Sequence, residues 1–302
     1  MYNIDRLFEA VQARGHVCVG LDTAVDYVPQ LERQKAGSDA GAVLAFNRAL
    51  VDATLDVAAC YKVQIAYYEE MGLAGLGAYA GTLKYIREKG RLVIADIKRG
   101  DIADTAARYA KAHFDGEFEA DFVTLSPYMG MDSIESWLSW AESKGKGAFV
   151  LMRTSNSGMR DFEYLELAAS FASKRRLYHA VGDRLSLLSA AHSGMYGYGA
   201  FGAVVGCTER EEAAEIRKNY PNLFFLIPGY GTQGGAADDT ALLLHNGNGG
   251  VVNASRSILT AWRAELKKNN KEETAADNQF AAEAALKAAV TMRDAIQAAI
   301  KK

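Results

Sequence analysis

Ile4, Leu7, Phe8 and Val11 fall at i, i+3, i+4 and i+7, so the chain is expected to open with an amphipathic helix. After it, short unbroken apolar runs alternate with longer stretches of helical spacing. The runs cover 16–22, 58–67, 92–98, 122–127, 148–155, 203–207, 224–230 and 250–256. They are rich in Val, Ile, Leu and Phe and often end on glycine or a polar residue, which reads as strands buried on both faces. Segments such as 41–57 and 209–218 carry helical spacing between them. Eight strand–helix alternations favour a closed (β/α)8 TIM barrel over an open doubly wound sheet.

Two regions exceed the minimal unit. The connection at about 157–202 holds two helical patterns and a Gly-Tyr-rich end, and from about 267 the chain turns charged and then Ala-rich. The expected organisation is one (β/α)8-barrel domain over 1–302, with an N-terminal helix and a C-terminal helical extension packed on the barrel.

Composition narrows the function classes. The formal net charge of -3 offers no broad basic field for nucleic acid and no polybasic membrane patch, so any phosphate on a ligand must be met locally. No apolar run approaches the length of a membrane span, and the first residues lack a signal core, so a cytoplasmic protein is expected. Cys18, Cys60 and Cys207 sit in apolar runs and read as core residues in a reducing compartment. No Cys-x-x-Cys occurs and the five histidines are scattered, so no metal site is expected.

The run Val93-Ile94-Ala95-Asp96-Ile97-Lys98-Arg99-Gly100-Asp101 carries the candidate chemistry. Strand alternation puts Asp96 and Lys98 on one face and Ile97 on the other. At the carboxyl end of a barrel strand that face opens on the mouth. Lys62 and Gln64 repeat the arrangement on the second strand, and Asp22 ends the first. Asp96-x-Lys98 alone reads equally as a buried salt bridge that orders the strand top. Charges at three strand ends point instead to a site, because inward charges are costly unless paired or used. An alternating acid/base array suits a lysine that must stay protonated and aimed, as a proton donor does.

Two further stretches face the same mouth. Pro228-Gly229-Tyr230-Gly231-Thr232-Gln233-Gly234-Gly235 contains a literal G-x-G-x-x-G, but too late in the chain for a dinucleotide fold. Glycine-rich loops after the seventh and eighth strands commonly bind phosphate in barrels, and Arg256 follows the eighth. Arg153-Thr154-Ser155-Asn156 closes the fifth strand. Its Ser155, taken by itself, is better read as a helix N-cap. No histidine ends a strand, so nothing supports a Ser-His-Asp hydrolase.

With these segments together, Asp96-x-Lys98-x-x-Asp101-Ile102 resembles the signature of orotidine 5′-phosphate decarboxylases. The resemblance runs from Val19-Gly20-Leu21-Asp22 through Lys62-Val63-Gln64 to Pro228-Gly229 and Ser255-Arg256-Ser257. The length, the Thr-Ser-Asn segment and Ser126-Pro127-Tyr128-Met129-Gly130 look most like a longer bacterial subgroup. Ser157 departs from the proline common there.

The resemblance implies decarboxylation of orotidine 5′-phosphate to uridine 5′-phosphate in de novo pyrimidine biosynthesis, with neither metal nor organic cofactor. It implies Lys98 as proton donor at C6, Asp96 beside the scissile carboxylate, and Lys62 on ribose and Asp96. Asp22 would bind ribose hydroxyls, Ser155 the pyrimidine edge, and Gln233 base and phosphate. The Ser255 backbone and Arg256 would hold the phosphate. Asp101, Ile102 and Thr105 would reach the neighbouring subunit's site in a homodimer.

The resemblance extends to Mg²⁺-dependent sugar-phosphate decarboxylases and synthases, which hold the metal partly by an acid on the second strand. Here that position is Lys62, which would repel a metal. A Schiff-base aldolase using Lys62 would need that lysine away from carboxylates. A nucleotide-binding barrel without activity would be expected to lack a member of the charged set, and none is missing.

Overall fold

Eight parallel strands close on one another in sequence order: β1 Val17–Gly20, β2 Cys60–Gln64, β3 Leu92–Arg99, β4 Phe122–Leu125, β5 Gly147–Arg153, β6 Phe201–Val205, β7 Phe225–Ile227 and β8 Gly250–Ala254. The structure is a computed structural model that describes residues 1–168, 175–231 and 236–302. Closure is made by β8 on β1, with Val17, Cys18 and Val19 opposite Val252, Asn253 and Ala254. The chain is thus the (β/α)8 barrel that the alternation predicts.

Both faces of the strands are buried, as the unbroken apolar runs require. One set of side chains packs outward against the helices, among them Val19, Val63, Ala95 and Val252. The other fills the barrel interior, with Cys18, Cys60, Ile94, Phe122, Phe149, Phe224 and Val251. The helix Asn3–Arg14 closes the lower end, burying Ile4, Leu7 and Val11 against this inner set. Lower barrel and lower cap are therefore solid. A cavity is left toward the carboxyl ends of the strands.

Several runs are longer than the strands they form. The run 58–67 stops pairing at Gln64, and Ala66–Glu69 is already a helical turn that buries Tyr68. The run 250–256 stops at Ala254, and Arg256 opens the helix Arg256–Leu259. Past the rim there is no neighbouring strand to pair with, so apolar residues there pack as helical turns instead. At β6 the error runs the other way. Phe201 and Gly202 already pair with Ala148 and Phe149.

The long connection holds the helices Met159–Phe162 and Leu177–Ala191. Its Gly-Tyr-rich end drops to the lower cap, where Tyr196 stacks on Phe8 with ring centroids 4.2 Å apart. The C-terminal helix Asn278–Ile300 is capped by Asp277, which accepts the Phe280 N–H at 2.8 Å. Ala281, Ala285, Ala289 and Ile296 are buried, and the helix packs against the helix Asp39–Thr54. Cys18, Cys60 and Cys207 are buried free thiols. Among the described residues no helix is long and apolar enough to cross a membrane.

Candidate active site

A cavity of about 410 Å³ opens at the carboxyl ends of the strands, and its floor is charged. Lys62 rises from β2 between two carboxylates, its Nζ 2.9 Å from both Asp22 Oδ1 and Asp96 Oδ2. Lys98 reaches Asp96 from the other side, Nζ to Oδ1 at 2.7 Å. The order Asp22–Lys62–Asp96–Lys98 is therefore a continuous alternation of sign across three adjacent strand tops. Lys62 and Asp96 are almost wholly buried, whereas the Lys98 side chain is 47% exposed, toward the opening.

Burial works against the charged form of Lys62, but the charges of Asp22 and Asp96 outweigh it and push the ammonium's pKa up. Burial likewise opposes the Asp96 carboxylate. The charges of Lys62 and Lys98, and their hydrogen bonds, win and hold its pKa well below the usual carboxylate range. Each buried charge persists because the next one neutralises it.

Simple alternation does not fully describe the top of β3. Its pairing with β4 shifts between Ala95 and Arg99, and Lys98 has φ +44°. A non-glycine residue held in the left-handed region costs of order 1–3 kcal/mol and needs support. Thr124 on β4 supplies it. Its hydroxyl oxygen accepts the N–H of Ile97 at 3.0 Å and of Lys98 at 2.9 Å, and its proton goes to Asp96 Oδ1 at 2.8 Å.

The rest of the mouth depends on close backbone approach. A Cβ on Gly20 would stand 2.0 Å from Ser255 Oγ, so only glycine leaves room for Ser255 to donate to Asp22 Oδ2 at 2.9 Å. Ser255 thus orders the carboxylate on which Lys62 depends. A Cβ on Gly206 would come within 2.9 Å of the Ser155 Cα, so the β5 loop is seated directly on β6. Ser155 lines the cavity and is not an N-cap: the helix that follows starts at Met159, with Gly158 before it. Arg256 is exposed at the rim, and the nearby Tyr27 hydroxyl pushes its pKa further up. Tyr67 lies beside them.

Lys62, Asp96, Lys98, Asp22, Ser155, Ser255 and Arg256 therefore gather at one cavity. Asp101, Ile102 and Thr105 do not. Asp101 Oδ1 accepts its neighbour's Ile102 N–H at 2.8 Å, and Ile102 and Thr105 are exposed on the outside of this mouth. Gln233 lies outside the described residues. Sequence reasoning missed Thr124, Tyr27, Tyr67 and Asn253, which line the cavity, and placed Thr154 and Asn156 at the mouth without giving either a role. Asn253 had a signal, being two residues before Ser255 at a strand end. Among the described residues no group of three or more His, Cys, Asp or Glu is arranged to hold a metal ion.

A closed parallel barrel with buried lysine–carboxylate pairs under an open mouth is a (β/α)8-barrel enzyme built for acid–base chemistry on a small molecule. Residues 15–268 match the Orotidine 5'-phosphate decarboxylase / HUMPS family, and the chain belongs to that family. It is 53% identical over 298 residues to the orotidine 5'-phosphate decarboxylase of Clostridium perfringens (strain SM101 / Type A), covering 99% of each chain. To the orotidine 5'-phosphate decarboxylase of Clostridium kluyveri it is 54% identical over 262 residues, 87% of this chain and 89% of the relative. The solved structure of Leishmania donovani OMP decarboxylase superposes with a TM-score of 0.69 at 30% identity, over 98% of this chain and 100% of that one.

Proposed function

We propose that this chain converts orotidine 5′-phosphate to uridine 5′-phosphate and CO₂, the decarboxylation of de novo pyrimidine biosynthesis, using its own side chains alone. The observation that carries the reading is the Asp22–Lys62–Asp96–Lys98 array. Where an Mg²⁺-dependent relative would place a metal-binding acid on β2, Lys62 puts an ammonium, clamped by two carboxylates at 2.9 Å. Family membership and 53% identity to a decarboxylase over almost the whole chain support the same substrate.

In this reading the C6–carboxylate bond breaks, its electron pair stays on C6, and the Lys98 ammonium supplies the proton that ends there. The carbanion gains little from the ring, so a fixed cation one hydrogen bond away is what lowers the barrier. Asp96 lies beside the departing carboxylate, and two lysines and Thr124 keep it ionised. Lys62 spends two of its three N–H groups on Asp22 and Asp96 and has a third for ribose. Asp22 takes ribose hydroxyls, Ser155 the pyrimidine edge, Gln233 base and phosphate, and Arg256 with the Ser255 backbone the phosphate. Phosphate binding at Arg256, remote from C6, provides energy for ordering the site.

Asp101, Ile102 and Thr105 complete a partner's site in a homodimer of cytoplasmic enzyme. Ile102 and Thr105 are exposed and Asp101 is half-buried, all outside their own cavity, which supports that arrangement.

The deciding assay follows loss of orotidine 5′-phosphate absorbance in chelator-treated buffer. Undiminished turnover is expected. No turnover there, together with Mg²⁺-dependent activity on a sugar phosphate, would transfer the chain to the metal-dependent branch.

A further inference from the structure

Among the described residues the long connection after β5 adds nothing to the charged array, yet its first turn reaches back to the cavity. The helix Met159–Phe162 ends at Glu163, whose Oε2 accepts the Thr154 N–H at 2.9 Å. Its Oε1 lies 2.8 Å from the Thr154 hydroxyl. A carboxylate only accepts, so the single Thr154 proton goes to Glu163. The Asn156 side-chain oxygen stands 2.7 Å from the same hydroxyl, so that hydroxyl joins Glu163 to both ends of the turn.

Behind this contact stands Arg153, wholly buried, with one Nη donating to Gly206 O. Among the described residues its Nε and other Nη have no hydrogen-bond partner. Burial pushes the Glu163 carboxyl's pKa up, while the two Thr154 bonds and the Arg153 charge oppose that. The turn is pinned on its other side by Gly206, packed against Ser155, and by Thr208, whose hydroxyl faces Ser155 O at 3.4 Å.

We infer that Glu163 is a positioning residue, supplied by the long connection to hold the Thr154–Asn156 turn where it recognises the base of the bound nucleotide. The inference rests on the decarboxylase reading for what the turn recognises. Glu163 touches no ligand itself. Phosphate and ribose are met across the cavity, at Arg256, Asp22 and Lys62, by residues it does not contact. Its loss therefore weakens base recognition selectively.

The test pairs Glu163→Ala with Glu163→Gln and measures calorimetric binding of uridine 5′-phosphate and ribose 5-phosphate beside turnover. Glu163→Ala is expected to weaken uridine 5′-phosphate about tenfold, the loss of roughly one hydrogen bond to a charged group. KM for orotidine 5′-phosphate rises with it, and ribose 5-phosphate binds within about twofold of wild type. Glu163→Gln keeps an acceptor for the Thr154 N–H and a partner for its hydroxyl, and restores nucleotide binding. Unchanged uridine 5′-phosphate affinity in Glu163→Ala, equal weakening of both ligands, or no rescue by glutamine overturns the inference. If Glu163→Ala does not fold, Thr154→Val decides. It keeps the amide bond and loses the hydroxyl, so a smaller loss confined to uridine 5′-phosphate is expected, and unaltered affinity overturns the role. A wild-type protein without turnover would count against the decarboxylase reading instead.

Discussion

Thr124 donates its hydroxyl to Asp96 at 2.8 Å, and the same oxygen accepts the N–H groups of Ile97 and Lys98. One side chain thus fixes the carboxylate beside the lysine and the left-handed backbone that carries the lysine. Its one proton and two lone pairs are all used, which leaves the β3 top one well-satisfied geometry.

Thr124→Val keeps the shape and removes all three bonds. Two backbone N–H groups are stranded, so stability should fall by about 2 kcal/mol in urea denaturation. Turnover should drop at least tenfold, with KM changing less, and Thr124→Ser should recover most of both. Wild-type turnover in the valine variant would mean that Lys98 is held by something other than Thr124.

Lys98→Ala should lower kcat by about 10²–10⁴, the range a positioned proton donor contributes. Binding of uridine 5′-phosphate should stay within about tenfold of wild type, because in the proposed reading the phosphate is held at Arg256 and Ser255, away from Lys98. Steady-state kinetics with calorimetry on the same preparation separates the two effects. Turnover within tenfold of wild type would remove Lys98 from the proton-transfer step.

Asp101 faces its own Ile102 N–H and not the cavity of its own chain. If it serves a partner's site, co-refolding the inactive variants Lys98→Ala and Asp101→Ala rebuilds one intact site in each hybrid dimer. Random pairing makes half the dimers hybrid, so about a quarter of wild-type activity should return. A mixture that stays inactive, with hybrids confirmed by mass, would place Asp101 in cis or out of the chemistry.

Stability should fall in acid in two separate windows. Burial lowers the pKa of His16 and of His113 to about 4. The unfolded chain binds these protons below about 6.5 and the folded one does not, so stability declines as pH falls from about 6.5 toward 4. The loss is at most of order 3 kcal/mol per imidazole. The lowered pKa of Asp96 gives the second window: its contribution is intact above about 3.9 and is lost below that. His113 Nδ1 has no hydrogen-bond partner among the described residues, and the ring stacks on Phe118, so His113→Phe is a suitable probe. Urea midpoints at pH 7 and 4.5 should lie closer together in the variant. An unaltered gap would exclude His113 as a source of the first window.

Much of the barrel was legible because its cause is local. A parallel strand buried on both faces must be an unbroken apolar run, and a helix covering it must repeat near 3.6, so eight alternations follow from neighbouring residues alone. A charge at the end of such a run is legible for the same reason, since the run says it sits at a rim. Asp22, Lys62, Asp96, Lys98 and Arg256 were found that way.

Which charges meet was settled by closure. Lys62 becomes the enclosed cation because β1 and β3 flank β2 in register, bringing Asp22 and Asp96 to the same height on either side. Thr124 has no distinguishing pattern in the chain. Its role exists only because β4 lies beside a β3 whose register slips at Lys98. Ser255 turns to Asp22 because β8 closes on β1 and Gly20 leaves room for its hydroxyl. Periodicity decides each element's type and the face it buries. The neighbours of a polar atom are chosen by strand register and barrel closure, contacts between residues as far apart as Asp22 and Ser255.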